Sequence, residues 1–166
     1  MERVPFDDFV AARSGRLLRT AYLLTRDHAL AEDLLQTSLT KAWFAWSRID
    51  GDPEPYVRKV LVNTYSSWWR RRWNDEHATE ELPESEHHDH AGEVTTQADL
   101  WAALGRLPRR QRAVVVLRYF EDLTEVETAR VLACSVGTVK SQTSKAFAKL
   151  RIDPSLVATA PEGGTR

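Results

Sequence analysis

The stretch Leu123 to Arg151, LTEVETARVLACSVGTVKSQTSKAFAKLR, leaves this chain few choices of fold. Thr124 and Glu127 have the T-x-x-E spacing of a capping box, which satisfies free backbone donors at a helix start. A helix is predicted over Glu125 to Leu132. Ala133, Cys134 and Ser135 interrupt it, and Ser135 is a good N-cap for a second helix. Along that second helix Val136, Val139, Thr143, Phe147 and Leu150 recur every three or four residues and are expected to be buried. Thr138, Ser141, Gln142, Lys145 and Lys149 fall on the opposite face. Two short helices joined this way make a helix-turn-helix, whose second helix can enter the DNA major groove. A plain helical hairpin has the same pattern, so the rest of the chain has to decide.

Upstream, helical periodicity continues and strand signals are weak, so an all-α fold is expected. Phe6 to Thr25 fits one amphipathic helix, with Phe6, Phe9, Val10, Leu17, Leu18, Ala21 and Leu24 inward. Thr25, Arg26 and Asp27 make the turn. A second helix over about Ala29 to Ser47 buries Ala31, Leu35, Leu39, Ala42 and Trp46. Asp33, Gln36, Thr37 and Thr40 form a polar stripe, with Phe44 further along and Trp43 beside it. The stripe reads either as a solvated face or as a docking surface, because apolar area next to a polar rim marks interfaces.

After the break at Gly51, Asp52 and Pro53, the segment Glu54 to Trp73, EPYVRKVLVNTYSSWWRRRW, is the most informative of this block. Val57, Val60, Leu61, Thr64, Tyr65 and Trp68 are expected inside; Lys59, Asn63, Ser66, Ser67 and Arg70 line the other side. Between Pro55 and Trp73 stand five basic residues and no acidic one. Trp68, Trp69 and Trp73 flank Arg70, Arg71 and Arg72. Adjacent Trp68 and Trp69 point about 100° apart on a helix, so one of them is expected near the surface. Aromatics mixed with arginines suit single-stranded nucleic acid, rings stacking on bases and guanidiniums holding phosphates. The arginines also suit a helix C-terminus, where positive charge is favoured.

Charge distribution separates these blocks. The formal net charge is only −1. Met1 to Trp73 holds 12 basic and 9 acidic residues, Asn74 to Asp99 holds 9 acidic and no basic ones, and Leu100 to Arg166 holds 11 basic and 6 acidic. Two basic blocks flanking an acidic connector point to nucleic-acid contact by the blocks. The connector is expected to be an extended linker. Its His77, His87, His88 and His90, with Asp89, lack the paired helical ligands or cysteines of a preformed zinc site, so no metal is expected.

Beyond the connector a short helix is expected over Thr96 to Leu104, and Leu107-Pro108 marks the next helix start. The run RRQRAVVVLRYF follows, burying Val114, Val115, Leu117 and Phe120. Arg109, Arg110 and Arg112 at its N-terminal end oppose the helix dipole, a cost most readily accepted when the groups bind an anion such as a phosphate backbone. No Gly-rich phosphate loop, nucleophile elbow, HExxH or CxxC occurs, so no enzyme and no cofactor are expected. A single cysteine, no signal-peptide pattern and no membrane-length apolar run lead to a cytoplasmic protein without membrane insertion as the expectation.

Three of these stretches, AEDLLQTSLTKAW, PYVRKVLVNTYSSWWRRR and LPRRQRAVVVLRYFEDLTEVETARVLACSVGTVKSQTSKAFAKLR, occur in an order and spacing that closely resemble a bacterial sigma factor of the extracytoplasmic-function (ECF) group, SigE-like actinobacterial family. The resemblance covers nearly all of Phe6 to Arg151, the linker matching in position only. It implies two small helical domains: sigma region 2 over 1–74, an acidic linker over 75–95, sigma region 4 over 96–153, and a disordered tail over 154–166. It implies core RNA polymerase as partner, touched at the clamp helices of the largest subunit and the flap of the second, together with promoter DNA and an anti-sigma factor in many members.

By residue, the resemblance implies polymerase docking by Asp33, Leu34, Gln36 and Thr40. It implies minus-ten contacts by Lys59, Asn63, Ser66, Ser67, Trp69, Arg70 and Arg71, Asn63 matching a position beside a loop that holds a flipped base. Lys140, Ser141, Ser144 and Lys145 match minus-thirty-five contacts, to which the residue pattern adds Arg109, Arg110 and Thr138. Lys140 and Lys145 stand where arginine is common, and lysine lacks the bidentate fork, so these two suit phosphate better than guanine. Ser144 replaces a larger side chain. The linker would thread the polymerase channels. A stand-alone helix-turn-helix regulator is the alternative; it would need neither the docking stripe nor the aromatic-basic helix.

Overall fold

The computed structural model describes residues 3–73 and 96–152. The acidic connector with its histidines and the tail at 154–166 lie outside the described residues. Seven α-helices account for the described chain, with no strand among them: α1 (Phe6–Thr25), α2 (His28–Ala45), α3 (Glu54–Trp68), α4 (Thr96–Arg106), α5 (Arg109–Val115), α6 (Glu125–Leu132) and α7 (Val136–Ile152). α3 runs on into a π-helical turn at Trp69–Trp73, and α5 into another at Val116–Phe120.

The local signals act as expected. Arg26 closes α1 in the left-handed region (φ 51°), its N–H donating to Tyr22 O. Asp27 then caps α2, its carboxylate accepting from Leu30 N at 3.0 Å. In the capping box Thr124 Oγ1 accepts from Glu127 N at 3.1 Å, and Glu127 Oε2 accepts from Thr124 N at 2.8 Å. Ala133 takes a left-handed conformation (φ 52°) to end α6, and Ser135 Oγ accepts from Thr138 N at 3.1 Å to start α7.

α1, α2 and α3 pack as a three-helix unit, and α5, α6 and α7 as a second. The two units also pack on each other, α1 against α5 and α4, and α3 against α6, so one apolar core runs from Phe9 to Leu150. This contact explains most departures from the sequence pattern. Leu23 is buried on α1 besides the expected Leu17, Ala21 and Leu24, because α1 is covered on a second side. Where α3 passes into its π-helical turn, Trp69 rather than Trp68 is the fully packed ring: Trp69 is 2% exposed, while Trp68 is half-buried. Trp69 lies against Tyr65, ring centroids 6.0 Å apart, and beneath the Arg110 guanidinium of α5. Val62 is buried where Val60 was expected. On α7 the small Ala146 turns inward between Val139 and Leu150, while Phe147 turns out onto Tyr119 at 5.3 Å.

Arg112 is the largest correction. It does not sit at the surface to meet an anion; it is 0% exposed. Its Nε donates to Leu23 O at 2.8 Å and its Nη1 to Leu107 O at 3.0 Å. Leu23 is in the last turn of α1, where carbonyls lack intrahelical partners and carry the negative end of the dipole. A buried guanidinium there serves as cap and brace between the two units.

Candidate nucleic-acid interface

Three outer faces carry most of the residues singled out in the sequence. On α7, Lys140, Ser141, Ser144 and Lys145 are all exposed. They occupy the face opposite Val139, Ala146 and Leu150, as a groove-entering helix requires. Thr138 is half-buried and takes part in the helix start, its hydroxyl 2.9 Å from that of Ser135. Arg109 and Arg110 are half-buried at the head of α5, Arg110 stacking 5.9 Å from the Trp69 ring centre.

On α3 and the π-helical turn that continues it, Lys59, Asn63, Ser67, Arg70 and Arg71 are exposed. Spacings of four and seven residues bring Lys59, Asn63 and Arg70 onto one stripe. The stripe is not wholly open. Ser66 Oγ donates to Val131 O at 2.8 Å, and Arg70 Nη2 donates to Arg130 O at 2.9 Å. Both acceptors are in the last turn of α6, in the helix-turn-helix itself. Trp69, expected at a single strand, is packed beneath the other unit in this arrangement.

α2 presents Asp33, Gln36 and Thr40 outward, with Thr40 Oγ1 donating to Gln36 O at 2.8 Å. Beyond them Trp43 (56% exposed) and Phe44 (71%) form an edge-on pair at 5.1 Å. Leu34, expected on this surface, is instead wholly buried, because its side chain falls on the inner stripe with Ala31, Leu35 and Ser38. It supports the face from beneath.

Sequence reasoning missed the polar pairs that join the units. Arg58 Nη1 lies 3.2 Å from Glu121 Oε1, and its Nη2 lies 3.2 Å from Glu54 of its own helix. Neither residue carries a sequence signal, since the pair forms between residues 63 positions apart. Burial pushes the Glu121 carboxyl above its ordinary 4.5, a rise enlarged by Asp122 and opposed by Arg58 and by a hydrogen bond from Thr20. The folded chain therefore holds that proton more tightly than the unfolded chain. This contribution to stability is present at low pH and is lost as pH rises from 4.5 through the raised value. Glu121→Gln is expected to remove that part of the slope; thermal melts across this range would show it, and an unchanged slope would assign the proton elsewhere. Burial likewise raises the Cys134 thiol, partly opposed by Arg110, so it is a poor nucleophile.

The described geometry is that of a helix-turn-helix packed against a three-helix unit with an aromatic-basic outer helix. Residues 9–74 match the family model for Sigma-70 region 2, and residues 97–150 that for Sigma-70 region 4. The chain is 41% identical over 152 residues to the RNA polymerase sigma-E factor of Streptomyces coelicolor, covering 90% of this chain and 86% of that protein. It belongs to the ECF sigma factors. It is 31% identical over 152 residues to the ECF RNA polymerase sigma factor SigM of Mycobacterium tuberculosis, covering 90% of this chain and 76% of that one. Among solved structures it resembles the sigma factor RpoE of Bartonella quintana, determined with the anti-sigma factor NepR, at TM-score 0.56 and 25% identity over 93% of this chain and 97% of that one. As an ECF sigma factor the chain is a transcription initiation factor, and its helix-turn-helix is the region 4 module. Among the described residues, no helix is long and apolar enough to cross a membrane.

Proposed function

We propose that this sigma factor binds core RNA polymerase through the outer face of α2, takes the non-template strand of the minus-ten element on α3, and anchors the minus-thirty-five element with α7. The observation that carries this reading is the pair of polar-basic outer faces, one in each sigma region. Asp33, Gln36 and Thr40 make the polar part of the polymerase contact, with the exposed Trp43 and Phe44 as its apolar edge. The partner surface is the clamp helices of the largest polymerase subunit, and region 4 meets the flap of the second. Lys59, Asn63, Ser67 and Arg71 face the opened strand, joined by Ser66, Trp69 and Arg70 when region 4 moves off them. Lys140, Ser141, Ser144 and Lys145 face the upstream element, flanked by Thr138, Arg109 and Arg110. Region 2 spans 1–74, the acidic linker 75–95, region 4 96–153 and a tail 154–166. The protein is cytoplasmic and non-catalytic, and an anti-sigma factor is a candidate partner, as one accompanies RpoE of Bartonella quintana.

The test is to mix the purified chain with core polymerase and assay promoter-dependent initiation. No complex with polymerase, together with an operator footprint by the chain alone, would replace this reading with that of a stand-alone regulator. Lys145→Ala is expected to weaken upstream binding across sequences and to lower the slope of log affinity against log salt by about one. Salt titrations of holoenzyme on a duplex promoter measure this; an unchanged slope would remove Lys145 from the phosphate contacts.

A further inference from the structure

We infer that Trp46 is a positioning residue for promoter reading, holding the loop between α2 and α3 in place through the N-terminal segment. The inference rests on the proposed function for the role of α3, and on the geometry for the hold. Tyr56, Lys59 and Asn63 follow one another by three and four residues, so they share the strand-facing side of α3. At the Tyr56 end of that stripe opens a cleft of about 470 Å³. Ala45 and Ile49 give it apolar lining, Tyr56 an exposed ring, and Arg48 and Asp50 charge. Such a lining suits an unstacked base, which takes cover on its faces and polar partners at its edges. Arg48, Ile49 and Asp50 belong to the turn and loop that follow α2, so the shape of the cleft is only as definite as that segment.

Two anchors fix the loop. At its far end Asp52 Oδ1 accepts from Glu54 N at 3.0 Å, which ties it to the start of α3. Gly51, with φ 75°, turns the chain just before. At the near end α2 gives way to a 3-10 turn over Trp46–Arg48, and Trp46 O accepts from Ile49 N at 3.3 Å. Trp46 is itself held by its side chain. Its indole Nε1 donates to Val4 O at 3.0 Å, and its ring meets Phe6 edge-on at 5.1 Å and Phe9 at 5.2 Å. Val4 and the first turn of α1 thus grip the residue from which the loop hangs. A binding site needs its side chains held within about 0.5 Å, so loss of this grip would blur the choice of base before it abolished binding.

Trp46→Phe tests the hold, because phenylalanine keeps a ring against Phe6 and Phe9 and loses the indole donor. A chain shortened to Phe6 behind an initiating methionine removes the acceptor instead, since Val4 is gone. Amide exchange at Ile49, followed by nuclear magnetic resonance, reads the loop in the free full-length chain. Transcripts made by holoenzyme from templates randomised over the minus-ten element read base choice. A general loss of fold or assembly lowers all templates alike and leaves that choice unchanged.

Trp46→Phe should speed exchange at Ile49 about fivefold, as local opening becomes easier. It should flatten the strongest minus-ten base preference about tenfold, the scale of one good base contact, with polymerase affinity unchanged. The shortened chain should show the same changes, and the two alterations together no more than either, since both break one bond. Unchanged exchange at Ile49 overturns the hold. Faster exchange with an unaltered base preference overturns its part in promoter reading. Effects that add on combination have separate causes, and overturn the tie between Trp46 and Val4. A wild-type holoenzyme with no base preference in the minus-ten element strikes the proposed function of α3 instead, and exchange at Ile49 still decides whether Trp46 holds the loop.

Discussion

Arg112→Ala is expected to destabilise the protein by about 3–5 kcal/mol, the range for removing one member of a buried charge-assisted arrangement. The truncation acts in two ways. It leaves Leu23 O and Leu107 O without their guanidinium donor, and it opens a cavity where a wholly buried side chain stood. For a domain of this size such a loss lowers the melting temperature by roughly 10 °C. Arg112→Lys should fall between, since an ammonium keeps the charge but lacks the planar fork that reaches two carbonyls. Thermal and urea melts measure both. A loss under about 1 kcal/mol for the alanine variant, the scale of an exposed ionic contact, would show that the brace is dispensable.

Asn63→Ala should act on a different axis. Asn63 is exposed on α3 between Lys59 and Arg70, so its loss should leave the melt within about 0.5 kcal/mol of wild type. Its amide offers both donors and acceptors to a base edge, and a good base contact is worth about 1–3 kcal/mol. Strand opening at a cognate promoter should therefore fall by roughly tenfold or more, while affinity for core polymerase stays as it was. Permanganate reactivity of unpaired thymines reads the first, and anisotropy of labelled chain with polymerase reads the second. Equal loss of both would remove Asn63 from the strand contact and place it in assembly.

The comparison of these two residues shows what a sequence can disclose. Asn63 was legible because a helix stripe is a matter of local spacing: Lys59, Asn63 and Arg70 share a face whatever surrounds them. The same local logic located the capping box at Thr124 and Glu127, the turn at Ala133–Ser135 and the outer face of α7. Arg112 was misread because its partner is 89 positions away. Taken alone, an arginine at a helix N-terminus looks like an anion ligand. Only the approach of α1 to α5 supplies the carbonyl that makes it a core residue. Trp69 and Leu23 were missed for the same reason, each being buried by an element outside its own unit. Leu34 failed differently, since it borders the exposed stripe yet falls on the inner side of α2 by its angle on the helix.

The Arg112 brace also imposes an order on the birth of the molecule. A ribosome delivers α1, α2 and α3 first, and those helices can assemble while the end of α1 still faces water. Arg112, which donates to the Leu23 carbonyl, arrives only after the whole acidic connector has been made. The last part of the N-terminal core to close thus waits for the far half of the polypeptide. Such a long-range step is of the kind that slows folding. Until it happens, the Leu23 carbonyl at the end of α1 lacks its buried donor, and the nascent chain is most open to mispairing during that interval.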